Sequence, residues 1–297
     1  MIVFAGPGVA GAIRNQFNLV GNTLNSGTNG GTEGGGASGG GSAGADSSTV
    51  QAAVAKDAKD WTLDEQEAVA KDIAKNGTSS IAYAKAKAAM DASTRWSVKL
   101  TNGKTLEYRI IGINHDELAD GSGKAGLTFL TTSTGIKSRV NATDTNAGGW
   151  ERSELREKMN SGEIWNLMPS DFQSKVKPVR KLTNNVGANK NAAVTATSDK
   201  LFLLSNAEIV PTSSWATSSW TSIYPWTSNE GTQYEAFKGK VTEYDVPNSA
   251  IALAGKWWER SVYPYDPTSF LYVHLNGLPS PGYFATASRC VCPAWCF

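Results

Sequence analysis

The sequence predicts an α+β fold, in which helices and a mixed antiparallel sheet come from different stretches of the chain. A segment rich in Ala, Lys, Asp and Glu at 48–92 favours helix, and alternating apolar residues begin at Trp96. Helical patterns return at 151–168, so two further helices are expected to pack on the sheet. Helices and strands that occupy separate stretches are typical of the α+β class.

The first 47 residues are predicted to lie outside the folded body. Residues 1–25 mix apolar residues with Gly and Asn, which indicates either a docking segment that folds against a partner or a frayed terminus. Residues 26–47 consist mainly of Gly, Ser, Thr and Ala, which cannot bury enough surface to offset chain entropy, so a flexible linker is expected. We expect neither a secretory signal nor membrane insertion, because no basic leader and no long apolar run occur.

The helical segment 48–92 is expected to contain two helices. The pair Asn76-Gly77 is typical of a helix C-terminus, and Ser79 or Ser80 can cap a second helix that runs through Ala89. The apolar positions are too small and irregular to predict a coiled coil.

A β-hairpin opens the predicted globular domain, 93–297. Apolar residues alternate on both sides of a two-residue Asn102-Gly103 turn, namely Trp96, Val98 and Leu100 before it and Leu106, Tyr108 and Ile110 after it. Further along, the pattern at 151–168 predicts a core-facing helix that Pro169 ends, with Ser170 or Asp171 as the cap of the next short helix.

Residues that could support catalysis are few. His115, Asp116, Glu117 and Asp120 supply only part of a calcium loop, and they favour a turn with a structurally hydrogen-bonded histidine. No G-x-S-x-G nucleophile motif accompanies them. A surface-polysaccharide hydrolase remains an alternative, although no spacing selects an acid pair from its candidates, which are Asp116, Glu117, Glu151, Glu154 and Glu230.

Three cysteines, Cys290, Cys292 and Cys296, fall in the last eight residues. Together with His274 they offer four zinc ligands, but structural zinc sites usually draw on two separated knuckles, and the sequence has no second cluster. A disulfide framework would need an even number of cysteines. The pattern favours small buried side chains in a terminal core strand, so neither a metal nor a cofactor is expected.

The formal net charge of +1 argues against nucleic acid as a partner, because phosphate binding needs a strong basic excess. A local basic cluster, made of Lys175, Lys177, Arg180 and Lys181, is interpreted as a solvated helix face.

Aromatic residues also follow a strand predicted at 201–204, in a Ser/Thr-rich stretch. They are expected either to stack on sugars or to seal an insertion against its own domain, and they are Trp215, Trp220, Tyr224 and Trp226.

The final stretch, 257–297, is rich in aromatic residues whose spacing follows neither a strand nor a helix. Pro264, Pro267, Pro279 and Pro281 exclude a long helix there. Large aromatic side chains in loop-like sequence are typical of a binding surface.

The pattern W-x-R-S, followed by F-x-x-V-x-x-x-G and a terminal V-x-P-A-W-C, resembles the carboxyl end of a known family. These are the C-type-lectin-fold variable proteins that diversity-generating retroelements diversify in phages and prophages of gut bacteria. The match is carried by Trp258, Arg260, Ser261, Phe270, Val273, Gly277, Ala285, Ser288, Val291, Pro293, Ala294, Trp295 and Cys296. The resemblance extends over 96–297, with Cys290 in a position where the family has Gly.

The resemblance implies a C-type-lectin-like domain with a variable region at about 257–297, and a binding function without enzymatic activity. The scaffold is expected to depend on Trp258, Arg260, Phe270, Val273, Gly277 and Pro293. The ligand face is expected to comprise Tyr263, Tyr265, Asp266, Thr268, Leu271, Tyr272, His274, Leu275, Leu278, Ser280, Tyr283, Phe284 and Thr286. Adenine-directed mutation of Asn codons yields many of these residue types.

The resemblance further implies a phage tail-tip protein, assembled in the bacterial cytoplasm and carried on the virion. Its partners would be a protein or glycan receptor on a bacterial surface and, through residues 1–25, other tail proteins. Relatives are often trimeric, so a homotrimer is expected. The remaining alternative is a structural virion or surface decoration protein, in which the aromatic set would be buried in a subunit contact.

Overall fold

The computed structural model describes residues 42–184, 193–212, 225–263 and 265–297. The predicted docking segment 1–25 and the linker up to residue 41 lie outside these ranges. The aromatic residues expected to stack on sugars or to seal an insertion lie outside them too, namely Trp215, Trp220, Tyr224 and the side chain of Trp226.

Three α-helices open the described chain, and they are α1 (Ser42–Ala55), α2 (Leu63–Asn76) and α3 (Tyr83–Asp91). Helix α1 begins inside the predicted linker 26–47, so the expected end of that linker was wrong. Short 3-10 turns at Ala58–Asp60 and Gly77–Ser79 connect the three helices.

Local capping sets the ends of helix α2. The Thr62 hydroxyl accepts a hydrogen bond from the Glu65 N–H, and the Glu65 carboxylate accepts one from the Thr62 N–H, at 3.2 and 2.7 Å. The helix ends at Gly77 (φ 56°), as the Asn-Gly pair predicted. The cap predicted for α3 was wrong, because Ala82 occupies the N-cap and the Ser80 hydroxyl accepts only from the Ala82 N–H.

The expected boundary at residue 93 does not separate two folding units, since Ala43–Phe297 forms one compact unit. Helix α2 contacts the sheet so closely that a Cβ on Gly126 would lie 1.8 Å from the Ala70 carbonyl oxygen. The rings of Trp61 and Trp96 stack at 6.1 Å across the same boundary. The helices therefore complete the core of the strand-rich region.

The described strands form three sheets. The strands are β1 (Arg95–Lys99), β2 (Thr105–Ile113), β3 (Leu127–Thr131), β4 (Lys137–Ser138), β5 (Val179–Asn184), β6 (Val194–Asp199), β7 (Trp257–Val262), β8 (Ser269–Val273), β9 (Pro279–Phe284), β10 (Arg289–Cys290) and β11 (Ala294–Cys296). Their orders are β1-β2-β3-β11, β4-β10-β7-β8-β9 and β5-β6. Every pairing is antiparallel except β10 with β7, which confirms the α+β class among the described residues.

The predicted hairpin is confirmed, with Trp96 opposite Tyr108 and Val98 opposite Leu106. Its turn differs from the expectation. The Leu100 N–H donates to the Lys104 carbonyl, so residues 101–103 form a three-residue loop that ends in Gly103 at φ 81°. A left-handed glycine in the third position is typical of this longer hairpin loop.

The C-terminal strand β11 lies in the middle of the core. The Trp295 ring stacks on Phe129 at 5.8 Å and meets the edges of Tyr108 and Phe172 at 4.9 and 5.0 Å. The predicted burial of the cysteines is confirmed, since all three thiols are buried and free. Only Cys296 belongs to the terminal strand, because Cys290 lies in β10 and Cys292 lies between the two strands.

Three further short helices follow in the chain, namely α4 (Glu154–Asn160), α5 (Ser170–Lys175) and α6 (Asn206–Ile209). The helix predicted to run to Pro169 was wrong in length, since α4 ends at Asn160 and Trp165–Leu167 forms a separate 3-10 turn. Leu155 and Met159 are fully buried, as the apolar spacing predicted. The N-cap of α5 is Pro169, so the prediction of Ser170 or Asp171 as the cap was wrong. The strand predicted at 201–204 reduces to one bridge, Phe202 with Ala294, although these residues are buried as expected.

Within the described ranges, no helix is both long and apolar enough to cross a membrane.

Candidate functional site

The stretch expected to be loop-like, 257–297, forms strands β7, β8 and β9 side by side, with β9 at the sheet edge. The expectation failed because both strand pairs contain register shifts, one between Trp258 and Val262 and one between Phe270 and Tyr272. An extra residue in one strand breaks the alternation that sequence patterns depend on.

Arg260 of strand β7 connects that strand to three other parts of the chain. Its guanidinium is fully buried and reaches both Glu208 carboxylate oxygens, at 2.5 and 2.9 Å. It also donates to the carbonyls of Leu182, Leu203 and Glu230. One side chain thus fastens β7 to β5, to the chain before α6 and to the 3-10 turn Pro225–Glu230.

Lys181 extends this ion network, which corrects the interpretation of the basic cluster as a solvated helix face. Lys181 is only 2% exposed, lies on β5, and contacts Asp116 and Glu208 at 2.6 Å each. Burial alone would raise the pKa of Asp116, but Lys181 outweighs it and holds that pKa well below its usual range. In the basic cluster only Lys175 belongs to a helix, and it pairs with Asp64 at 2.6 Å.

Two further buried carboxyl groups lie beside Arg260 without a cation of their own. Burial raises the pKa of Glu230 to about 7, although Ser261 and the Asn184 N–H bond to its carboxylate. Burial raises the pKa of Glu259 to about 8, and the neighbouring Asn206 amide offsets only part of that rise. Both groups are therefore largely protonated at mildly acidic pH.

Asn146 clamps the loop that follows β7, and the sequence did not identify it as a site residue. Its buried amide donates to the carbonyls of Tyr263, Asp266 and Ser269, at 3.2, 3.0 and 2.7 Å. Its own N–H bonds the Pro267 carbonyl at 2.7 Å. Asn146 begins the stretch N-A-G-G-W at 146–150, which also resembles the lectin-fold variable proteins, and that resemblance was the available signal.

Side-chain bonds also fix the residues within the loop. The Asp266 carboxylate accepts from the hydroxyls of Thr268 and Ser269, at 2.6 and 2.7 Å. Burial would raise the pKa of Asp266, but these bonds lower it, so the group stays ionised. At the end of β9, Thr286 donates to Asp144 through both its hydroxyl and its N–H.

The turn between β8 and β9 depends on Gly277, which has φ 79°. A Cβ at this position would lie 1.9 Å from the Asn248 carbonyl oxygen, so the turn packs directly on the 248–252 segment. On the outer side of the turn, the His274 ring bonds Asn276 at 3.0 Å. Only glycine fits this position without displacing that segment.

The expected framework side chains Trp258, Arg260, Phe270 and Val273 are all 0% exposed. Most of the expected ligand residues lie on the surface. Those that are exposed are Tyr265, Leu275, Tyr283, Phe284 and Thr286, and those that are half-buried are Tyr263, Asp266, Thr268, Tyr272, His274 and Leu278.

Leu271 corrects the expected face, because its side chain is 0% exposed and packs in the core. Successive residues of a strand point to opposite faces, so Tyr272 on the outside places Leu271 on the inside. The side chain of Ser280 lies outside the described part of the structure.

Aromatic rings and cations meet on this face. Tyr283 contacts Tyr272 and Phe284 edge to face, at 5.9 and 5.8 Å between ring centroids. The Arg289 guanidinium lies 3.9 Å above the Tyr283 ring, and the Lys256 ammonium lies 5.9 Å from the Tyr272 ring. The sequence-based set omitted both cations, which flank the predicted positions in the chain.

The five acids proposed for the hydrolase alternative make different contacts in the structure. Asp116 and Glu230 are buried in the network below β7. Glu117 pairs with Lys124 at 3.8 Å, while Glu154 pairs with Arg139 and accepts from the Ala142 N–H. Glu151 is exposed and accepts from Thr195. Nothing in these contacts marks an acid and base pair flanking a substrate.

The prediction of a structurally hydrogen-bonded His115 is confirmed. Its Nδ1 lies 3.1 Å from the Glu235 carboxylate, and its ring stacks on Tyr234 at 4.1 Å. Burial alone would raise the pKa of Glu235, but the contact with His115 lowers it to about 2.

The terminal cysteines do not assemble with His274 into a metal site. Burial raises the pKa of the Cys292 and Cys296 thiols well above the ordinary value, which disfavours the thiolate form that zinc needs. Among the described residues, no group of three or more His, Cys, Asp or Glu side chains is arranged to hold a metal ion.

Residues 125–296 match the family model described as a domain of unknown function, DUF6273. This match covers more than half of the chain, so the chain belongs to that family. No curated protein and no solved structure matches it.

Proposed function

We propose that this member of the DUF6273 family is a receptor-binding protein that displays a variable surface on a C-type-lectin-like scaffold. The observation that carries the proposal is the contrast within 258–286. Framework residues Trp258, Arg260 and Phe270 are fully buried, whereas Tyr265, Tyr283 and Phe284 are 42%, 38% and 53% exposed. Exposed aromatic clusters on a rigid support are typical of interaction sites, and they bring large contact area with few rotatable bonds.

The family resemblance supports the finer parts of the proposal. It favours a phage tail-tip protein that is carried on the virion and binds a protein or glycan receptor on a bacterial surface. In this account residues 1–25 dock on other tail proteins, several copies in a homotrimer add avidity, and the protein has no enzymatic activity. The ligand set is the predicted one without Leu271, whose side chain is buried.

Binding of labelled protein to intact cells from a panel of candidate host strains tests this proposal. The triple variant Tyr265→Ser, Tyr283→Ser and Phe284→Ser should lose roughly tenfold or more of its cell binding, because it removes the exposed rings and leaves the buried frame intact. The matched control is Ile81→Ser, which removes a side chain of similar exposure, 52%, from the helical part of the chain. It should bind like the wild type.

The oligomeric state of the same variants separates receptor binding from a structural decoration role. Light scattering should give the triple variant the same mass as the wild type. Cell binding that survives the triple substitution would contradict the proposal. Loss of assembly in place of loss of binding would favour a decoration protein whose aromatic residues lie in a subunit contact.

A further inference from the structure

We infer that the ligand face binds an acidic glycan, that is, a polysaccharide that carries carboxylate or phosphate groups. The inference rests on the proposed function and specifies its ligand chemistry. It is carried by cations that lie among the aromatic side chains and have no acidic partner. We call Arg289 and Lys256 the cationic row.

The sheet places the members of the cationic row side by side. In β10, Cys290 pairs with Lys137 of β4 on one side and with Trp257 of β7 on the other, and its N–H bonds the Lys256 carbonyl. Arg289 and Lys256 precede these paired positions. Neighbouring strands lie about 4.8 Å apart, so Arg289 and Lys256 lie side by side on one face of the sheet, each 5.9 Å from the Tyr272 ring on β8.

These cations are held in place without being neutralised. No member of the cationic row forms an ion pair with a described carboxylate, whereas their neighbours Arg139 and Lys158 pair with Glu154 and Glu163. The Arg289 Nε is buried and has no acceptor. A buried donor without a partner is costly, so the described residues do not satisfy the full hydrogen-bonding capacity of Arg289.

The position of the charges favours a glycan over a protein. Arg289 lies between Tyr283 and Tyr272, at 3.9 and 5.9 Å, so charge occupies the middle of the aromatic cluster. Protein–protein interfaces are enriched in arginine but depleted of lysine, so it is Lys256, 5.9 Å from the Tyr272 ring, that argues against a protein partner. A chain of sugars instead presents apolar ring faces to the tyrosines and repeated anions to the cationic row.

Calorimetric titration with three defined polymers tests the inference. Polysialic acid supplies carboxylates, poly(glycerol phosphate) supplies phosphates, and dextran is the neutral control. The wild type should bind at least one of the two anionic polymers and not dextran, and which of them binds identifies the anion. Raising NaCl from about 50 to about 500 mM should weaken that binding. Equal binding of dextran, or no binding of either anionic polymer, would overturn the inference.

The double variant Arg289→Gln and Lys256→Gln assigns the effect to the cationic row. It should weaken binding of the anionic polymer roughly tenfold or more and remove most of the salt dependence. Lys99→Gln is the control, because it removes an exposed lysine of β1 and should change neither quantity. Unchanged binding by the double variant would overturn the inference.

Cell binding by the same variants separates this inference from the proposed function. If the double variant and the aromatic triple variant both lose cell binding, the result supports both receptor binding and the acidic glycan. If only the triple variant loses cell binding, the result overturns the inference of an acidic glycan ligand and still supports receptor binding. If neither variant loses cell binding, the result contradicts receptor binding itself. Binding that disappears after the cells are treated with protease would identify a protein receptor and would also overturn the glycan.

Discussion

Replacing Arg260 with methionine should lower the free energy of unfolding by about 3–5 kcal/mol. The guanidinium is fully buried and balances Glu208, and without it Lys181 alone faces the two carboxylates of Asp116 and Glu208. The carbonyls of Leu182, Leu203 and Glu230 lose their donor as well. Urea unfolding followed by circular dichroism measures the change.

A surface arginine provides the matched control for Arg260. Arg139→Met removes an exposed arginine that lies 3.5 Å from Glu154, and it should cost less than about 1 kcal/mol. Adding Glu208→Gln to Arg260→Met removes one positive and one negative buried charge together. The loss in free energy of unfolding of this double variant should therefore be smaller than the sum of the losses in the two single variants. A loss below about 1 kcal/mol for Arg260→Met would mean that β7 is held by its apolar contacts alone.

Stability should fall as the pH rises from about 5 to about 9, because of Glu259 and Glu230. Their folded pKa values are raised to about 8 and about 7, so the folded protein keeps protons that the unfolded chain releases above its ordinary pKa of 4.5. Their contribution is fully present below that pKa and is lost as the pH passes through the folded values. The loss from Glu259 is on the order of 4 kcal/mol.

Glu259→Gln isolates the larger of these two contributions. The amide cannot ionise, so the variant should match the wild type near pH 5 and be more stable near pH 9, by several kcal/mol. Glu157→Gln is the control, since it replaces an exposed glutamate of α4 and should leave the pH profile unchanged. Thermal unfolding across this pH range measures both variants. Parallel profiles for Glu259→Gln and the wild type would show that Glu259 is not protonated in the fold.

At lower pH, carboxylates with depressed pKa values oppose this trend. The pKa of Glu235 is lowered to about 2 and that of Asp116 lies well below its usual range. Their stabilisation is present above the unfolded pKa and is lost as the pH falls through the folded one. Maximum stability is therefore expected near pH 5.

The parts of the fold that follow from local chemistry were predictable. The hairpin at Trp96 and the stop of α2 at Gly77 depend on residues close in sequence, and both were found. The burial of Lys181 depends on Asp116 and Glu208, which lie far away in the chain, so a local charge cluster was interpreted as solvated. The contact of Gly126 with Ala70 is equally long-range, which is why a domain boundary was expected where none exists.

The candidate site was predicted in outline but not in detail. Sequence could place the aromatic set at 263–286, yet the bulges in β7 and β8 hid the alternation that buries Leu271 beside an outward Tyr272. Asn146 and Arg289 reach the face through tertiary contacts with the loop after β7 and with Tyr283. Neither contact leaves a periodic trace in the sequence, so the only signal was the resemblance of the stretch that begins at Asn146.

The genomic DNA next to the coding stretch for 257–297 gives the most direct test of a variable face on a fixed frame. We expect a near-copy of that stretch beside a reverse-transcriptase gene, with differences at adenines of the copy. The differences should fall on codons of exposed residues such as Tyr265, Tyr283 and Phe284. They should spare the buried Trp258 and Arg260. The absence of such a copy, or differences concentrated in the buried codons, would contradict a diversified ligand face.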